Sequence, residues 1–585
     1  MRSAADFQDE ALEALKAAGF NGVLVNGGSG IGPDMLLPEA LAVTKAIPDL
    51  MPLTTEAYQR EIQRRCEALR KYDLRPWLMF WGVPGPDQST PSAAYDSNRF
   101  FDRRTKLEMT AKLRRTPEIF GFRNPAKMSW RGSRPLCVNQ PVVQEFYQQL
   151  AEELPRLYPD LGGVVFFPGD GDAELCDDTC PHCHATGLTS WQIMADHVTR
   201  MFPGFQNAGI PFHFCLWNHD SPKGPQTIRQ ILDGLPQGMD VCMSFSDGLQ
   251  RPAEAGGMKF NQPWVNASKP GELFLDTLNL ARSQGRKMLV FAELAQTEVW
   301  DPVCHNLPQA VKTRELLQNT SSLEDIVGLC DFWGHRAPFV SHANLAVMQA
   351  WFKEPSLNAE THLQQAAGIH YSLPESLAPQ AVACWKKFDT VVDQWFLKAW
   401  AQRFSFCIGR PSARGRLYQP LIPPCLRDKS RAWEVRQIAS DSDRAREFLA
   451  QQENDCLRFR ETAEHFAALA ETLQMHGLTS GAQLAARESA HIELAADLVV
   501  STARFVLAVY LFESGEWDDL GTLVREEIDA REQQLLISGR CGFGGGVDPI
   551  FVSEDLQNMR LFLSDDTWPQ VPDDLFHLTP TPYSV

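Results

Sequence analysis

The chain has 585 residues, a net charge of −18 and a pI near 5.3. It is longer than one ordinary domain, and its acidic field repels polyanions, so nucleic acid is excluded as a partner. With 44% hydrophobic and 22% charged residues, its composition is that of a globular protein rather than a disordered or fibrous one.

The N-terminus, Met1 to Glu10, lacks the apolar core of a signal peptide. As written, the chain is expected in the cytoplasm. Loss of an upstream leader would make it periplasmic or secreted, since the first strand begins close to the start.

Eight short apolar runs follow one another over the first 340 residues. They are Gly22–Asn26, Pro76–Gly82, the weaker Ile119–Phe122, Gly163–Pro168, Pro211–Trp217, Asp240–Phe245, Lys287–Ala292 and Ile326–Trp333. These runs are nearly continuous rather than alternating, as expected for strands of a parallel sheet covered on both faces. Between them lie helical patterns, for example Val143, Phe146, Tyr147, Leu150, Leu154 and Leu157 at three- and four-residue spacing. Eight strand–helix units predict an α/β fold, a (β/α)8 TIM barrel over 1–345. An open doubly wound sheet is the alternative.

From about Asn344 helical periodicity takes over, with long stretches at 443–473, 482–513 and 517–536. Residues 346–585 are therefore expected to form a mostly α-helical C-terminal domain with an irregular Pro-rich tail. The most apolar stretch, Leu498 to Phe512, is interrupted by Arg504 and flanked by acidic residues. A membrane span needs about 20 apolar residues, so this stretch reads as a buried helix and no membrane association is expected.

Barrel enzymes build their sites at the C-terminal ends of the strands. Those positions carry Trp81, Arg123, Asp170, Asp172, Glu174, Trp217, Asn218, Asp247, Glu293, Trp300, Trp333 and His335. Indole faces stack on sugar rings, and glycosidic cleavage needs two carboxyl groups flanking the bond. The pattern predicts a glycoside hydrolase acting on an oligosaccharide or glycan. Glu293 would be the general acid/base, and Asp170 or Asp172 the nucleophile, base or polarising group. Trp81, Arg123, Trp217, Asn218, Asp247, Trp300, Trp333 and His335 would bind substrate. The competing structural reading is that such acids cap helices or bind calcium and that single tryptophans belong to the core. The glycine run Asn26 to Gly32 follows a strand, but Pro33 and Asp34 follow it and no acid-ended second strand stands at the right distance, which excludes a dinucleotide loop.

Cys176, Cys180 and Cys183 lie beside His182 and His184 within nine residues. Cys-Pro-His-Cys is a zinc-knuckle element, but a full site needs a fourth ligand, either Cys137 or a histidine. The spacing leaves open a structural metal, one disulfide, or free thiols. Glycosidic chemistry requires no cofactor, so a structural zinc is the one cofactor the sequence suggests.

Val165 to Asp170, followed by the cysteine-rich loop, resembles barrel glycosidases related to glycoside hydrolase family 20 and bacterial proteins around family 163. Leu136 to Pro141 and Tyr158 to Gly162 are similar to the lead-in of such proteins. The stretches His342–Asn344, Trp351–Pro355 and Ala366–Tyr371 are similar to their barrel-to-helix junction. Family 67 α-glucuronidases have a comparable helical domain. The resemblance covers about residues 1–400 and implies glycosidase activity on a carbohydrate. Family 20 enzymes carry adjacent Asp-Glu after strand 4, where this chain has Asp170-Gly171, a departure from substrate-assisted hexosaminidase chemistry.

Two other functions fit the sequence: a non-catalytic carbohydrate-binding barrel, and a metal-dependent barrel enzyme using His213, His219 or the cysteine cluster. The sequence is compatible with a homo-oligomer.

Overall fold

A computed structural model describes residues 7–26, 36–83, 103–122, 134–168, 176, 180–216, 224–251, 258–260, 268–292, 308–330, 343–396, 420–427, 435–436, 438–541 and 549–564. The chain forms two compact units. One comprises Met1–Gln250, Lys259–Glu293 and Leu316–Val340; the other comprises Arg251–Met258, Leu294–Glu315 and Ser341–Val585.

The first unit is built on a seven-stranded sheet: β1 (Gly22–Leu24), β2 (Arg75–Trp81), β3 (Gly163–Phe167), β4 (Phe212–Cys215), β5 (Asp240–Ser244), β6 (Met288–Phe291) and β7 (Ile326–Cys330). Every neighbouring pair is parallel, and the spatial order follows the chain order. These are seven of the eight apolar runs.

The remaining run, Ile119–Phe122, is not a strand of this sheet. β2 pairs directly with β3, Trp77 opposite Gly163 through Trp81 opposite Phe167, which leaves no place between them. Pro117 opens a 3-10 turn through Ile119, and Phe120 makes only an isolated antiparallel bridge to Leu136. Proline lacks the N–H a ladder needs and sets the φ of a turn. No pairing closes β1 onto β7 among the described residues; they show an α/β fold with a seven-stranded parallel sheet and a helical domain.

One sheet face is sealed by aromatic rings in register. Phe80, Phe166 and Phe214 occupy paired positions on β2, β3 and β4, and their rings stack with centroids 6.0 and 6.1 Å apart. The helix Ser190–Asn207 brings Phe205 and His197 onto this ladder, and helix Pro141–Leu157 brings Tyr147 edge-on to His197 at 4.4 Å. Five of the six residues of the sequence pattern on that helix are buried; Leu157, at its last turn, is 44% exposed instead.

The other face converges. Met79, Trp81, Val165, Phe167, Cys215, Cys242, Leu289 and Phe291 form one buried cluster, with Leu24 of β1, Trp77 and Cys330 of β7 packed against it. Alternate residues point to the same face of a strand. All seven strands thus contribute to one apolar cluster on this face, toward which the sheet curls. The floor of this curled interior is the Trp77 indole. A Cβ at Gly22 or Gly163 would lie 2.4 Å from its ring, so only glycine on the flanking strands admits it.

The second unit is helical. Helices Ser442–Met475, Thr479–Ser514 and Trp517–Cys541 follow one another through short turns. Asp441 caps the first through its carboxylate, and Gly515 ends the second in the left-handed region at φ 77°. Helix Thr479–Ser514 contains an 18-residue window of mean hydropathy 1.7, of which 94% is buried. Burial within the protein thus accounts for the apolar stretch, as read from the sequence. Its core also holds charge: Arg531 and Glu527 pair at 2.6 Å with both side chains fully buried, and Arg504 reaches the same carboxylate at 3.3 Å.

Candidate functional site

The C-terminal ends of the strands are set by the sheet hydrogen bonds beyond their last residues. Gly82 N donates to Phe167 O at 2.7 Å, Leu216 N to Cys242 O at 2.7 Å, and Ala292 N to Cys330 O at 3.1 Å. The ladder therefore runs up to the residues directly before Trp217 and Glu293. Glu293, Asp170, Asp172, Glu174, Arg123, Trp217, Asn218, His219, Trp300, Trp333 and His335 themselves lie outside the described residues.

Two predicted binding residues are described. Trp81 ends β2 with 8% exposure, and one of its faces is covered by Phe167, with ring centroids 4.2 Å apart. Asp247 follows β5 and is buried with Ser244 and Ser246, whose hydroxyls are 3.3 Å apart. The backbone carbonyl of Asp247 accepts from Phe274 N at 3.1 Å, in the first turn of helix Glu272–Ser283. The end of β5 thus presents a polar group of three side chains beside an apolar interior.

His213 lies elsewhere. It stacks on Trp77 at 5.7 Å, four residues before the end of β2, and burial holds its pKa down to about 4. It sits on the floor of the interior rather than at the strand ends.

Sequence reading did not single out two buried polar groups near β1. Asn26 takes the place of a strand residue: its side chain donates to Leu36 O and Met79 O and accepts from Met79 N at 2.8 Å. Glu39, in the turn after β1, accepts from Tyr147 Oη at 3.0 Å, and burial pushes its pKa up to about 7. Neither has a spacing motif that could have revealed it.

The cysteines come together as a group of four. Cys137, Cys176, Cys180 and Cys183 are all buried, and their sulfurs lie within 4.8 Å of one another. Cys137 Sγ is 3.8 Å from Cys180 Sγ and 3.7 Å from Cys183 Sγ. Asn139 Nδ2 donates to Cys183 Sγ at 3.2 Å. Cys180 begins a single helical turn, Pro181–His184, that turns Cys183 back toward it. The bond with Cys137 holds the Cys180 thiol far below the ordinary cysteine range, while Cys137 pushes those of Cys176 and Cys183 above it. Facing the group is the segment expected to be a strand. Gly121 presses so close that a Cβ there would be 1.9 Å from Cys176 Sγ. Gly121 N donates to Pro135 O, Cys137 N donates to Ile119 O, and Arg134 covers the Phe122 ring at 3.8 Å. Ile119–Phe122 is thus a wall of the cysteine site.

No protein-family model and no curated protein matches the chain. Solved glycoside hydrolases resemble it at low similarity. A glycoside hydrolase family 138 enzyme targeting pectin rhamnogalacturonan II has 11% identity and a TM-score of 0.48 over 95% of this chain and 64% of its own. The chain therefore spans less than two-thirds of that enzyme's length. An O-GlcNAc hydrolase of Thermobaculum terrenum has 12% identity and a TM-score of 0.38, covering 96% of this chain and 95% of its own. A family 20 exo-β-D-N-acetylglucosaminidase module has 11% identity and a TM-score of 0.28, covering 66% and 94%.

Proposed function

We propose that the protein is a glycoside hydrolase whose first unit is a (β/α)8-type barrel. In this reading Glu293 is the general acid/base, and Asp170 or Asp172 is the opposing carboxylate. The observation that supports it most is the shared interior of β3 and β6. Phe167 and Phe291, the last inward residues of these strands, belong to one cluster. The chain leads from the first into Asp170 and Asp172 and from the second, two residues on, into Glu293. Side chains two apart along a strand share a face, so a strand continuing past Ala292 would turn Glu293 inward with Phe291. The packing of Leu24 and Cys330 on the same cluster supports the closed barrel.

Such a site works by protonating the leaving oxygen from one carboxyl group while the other attacks the sugar carbon or activates water. Trp217, Trp300 and Trp333 would supply stacking surface, and Asp247, Arg123, Asn218 and His335 would bind hydroxyls.

The test is a panel of aryl glycosides and plant and host glycans, assayed with the natural chain and with Glu293→Gln, Asp170→Asn and Asp172→Asn. Loss of at least about a hundredfold in kcat in Glu293→Gln and in one aspartate variant, with sugar binding retained, is expected. Glycan binding by calorimetry with no product from the natural chain would show a carbohydrate-binding barrel instead.

A further inference from the structure

We propose that Cys137, Cys176, Cys180 and Cys183 hold one zinc ion in a closed, structural site that ties the chain leaving β3 to the Phe120–Leu136 bridge. The inference is independent of the glycosidase reading.

The sulfur geometry carries it. In a tetrahedral zinc–thiolate centre with Zn–S bonds of about 2.3 Å, neighbouring sulfurs stand about 3.8 Å apart. The distances from Cys137 Sγ to Cys180 Sγ and Cys183 Sγ are 3.8 and 3.7 Å. A disulfide requires sulfurs about 2.05 Å apart, and each of these four cysteines is free. Four convergent sulfurs fill a tetrahedron, which leaves no position for water or substrate; such a site is structural rather than catalytic. Binding takes the remaining thiol protons into solvent and leaves surplus negative charge on the centre. The Asn139 amide, donating to Cys183 Sγ, stabilises that charge as outer-shell donors do. Gly121 fits because no side chain could stand between its backbone and Cys176 Sγ.

The site also has a mechanical consequence. Pro168 follows the last residue of β3, and Cys176 is eight residues further on. The ion would thus fix Cys176 a short way along the chain from the end of β3. Cys137 precedes helix Pro141–Leu157, so the ion cross-links the entry to that helix with the exit from β3. A loop closed over Cys137 to Cys176 carries an entropy cost when left to the side chains alone, and a metal clip offsets it.

The test is elemental analysis of the whole protein purified without chelator. About one zinc per chain is expected. Cys137→Ser and Cys183→Ser should lose it, while Cys66→Ser, a buried cysteine outside the group, should retain it. If the serine variants fail to fold, the natural chain still decides the matter. Replacement of the native metal by cobalt should give sulfur-to-cobalt charge transfer in the near ultraviolet and intense ligand-field bands in the red, the signature of tetrahedral thiolate coordination. Zinc below about a tenth of an equivalent, iron in its place, an intramolecular disulfide among the four, or a cobalt spectrum of octahedral type would each overturn the proposal.

Discussion

Both units bury ionisable groups, but they differ in how the buried charges are met. Around the sheet, burial lowers His197 to about 3 and His213 to about 4 and raises Glu39 to about 7, while the buried Arg286 donates to four backbone carbonyls and the buried Arg65 pairs with Glu61. In the helical unit, burial likewise raises Asp389 and lowers His491 to about 4, but a fully buried ion-pair network stands beside them. Arg531 and Arg504 share the Glu527 carboxylate, Asp555 lies 3.9 Å from Arg531, and Glu488 takes hydrogen bonds from His370 and Tyr371. The network follows from helix geometry. Long helices packed side by side bring i, i+4 positions and their neighbours' side chains together along their whole length. Neutral burial and paired burial therefore fail differently when disturbed.

The largest effect is expected from the paired side. Arg531→Met should destabilise the protein by roughly 3–5 kcal/mol in urea unfolding, because it leaves Glu527 and Asp555 with less compensation in the core. A loss below about 1 kcal/mol would show that the network is dispensable.

A pH dependence sharpens the neutral side. Glu39 has a folded pKa of about 7, raised from 4.5. It contributes stability fully present below its unfolded pKa, lost progressively as pH rises from about 4.5 through about 7, and absent above that. Removing the ionisation with Glu39→Gln should leave stability unchanged near pH 4 and raise it by up to roughly 3 kcal/mol near pH 8. Identical stability–pH curves for the two proteins would mean that Glu39 is charged and partnered after all.

The smallest effect tests the interior floor. Gly163→Ala places a methyl against the Trp77 ring, which Gly22 and Gly162 already confine from other sides. A loss of about 1–3 kcal/mol is expected in the same urea assay, as for an overpacked core. An unchanged midpoint would show that the indole can move.

Much of this was legible in the sequence. Seven apolar runs became seven parallel strands because near-continuous hydrophobicity suits a parallel sheet, fully buried in its central strands and only partly at the last, Ile326–Cys330. The helix stretches read at 443–473, 482–513 and 517–536 lie within the observed helices. The third run, Ile119–Phe122, reads as a strand by hydrophobicity, yet it lines the cysteine group. Hydrophobicity reports burial and not the identity of the partner, so a segment packed on sulfur and one packed on a sheet look alike. Trp81 illustrates the same limit: an indole at a strand end is equally suited to sugar or to Phe167.

The sequence by itself determined the order of the elements, the change from sheet to helix near residue 344 and the Cys176, Cys180 and Cys183 knuckle, because these depend on local periodicity and spacing. Only the tertiary structure decided which residues meet across long stretches of chain. It brought Cys137 to the knuckle from 39 residues away, set Phe167 and Phe291 in one interior, and placed Glu39 under Tyr147. Such meetings depend on sheet curl and packing, which arise from the sum of many contacts and leave no mark at any single position.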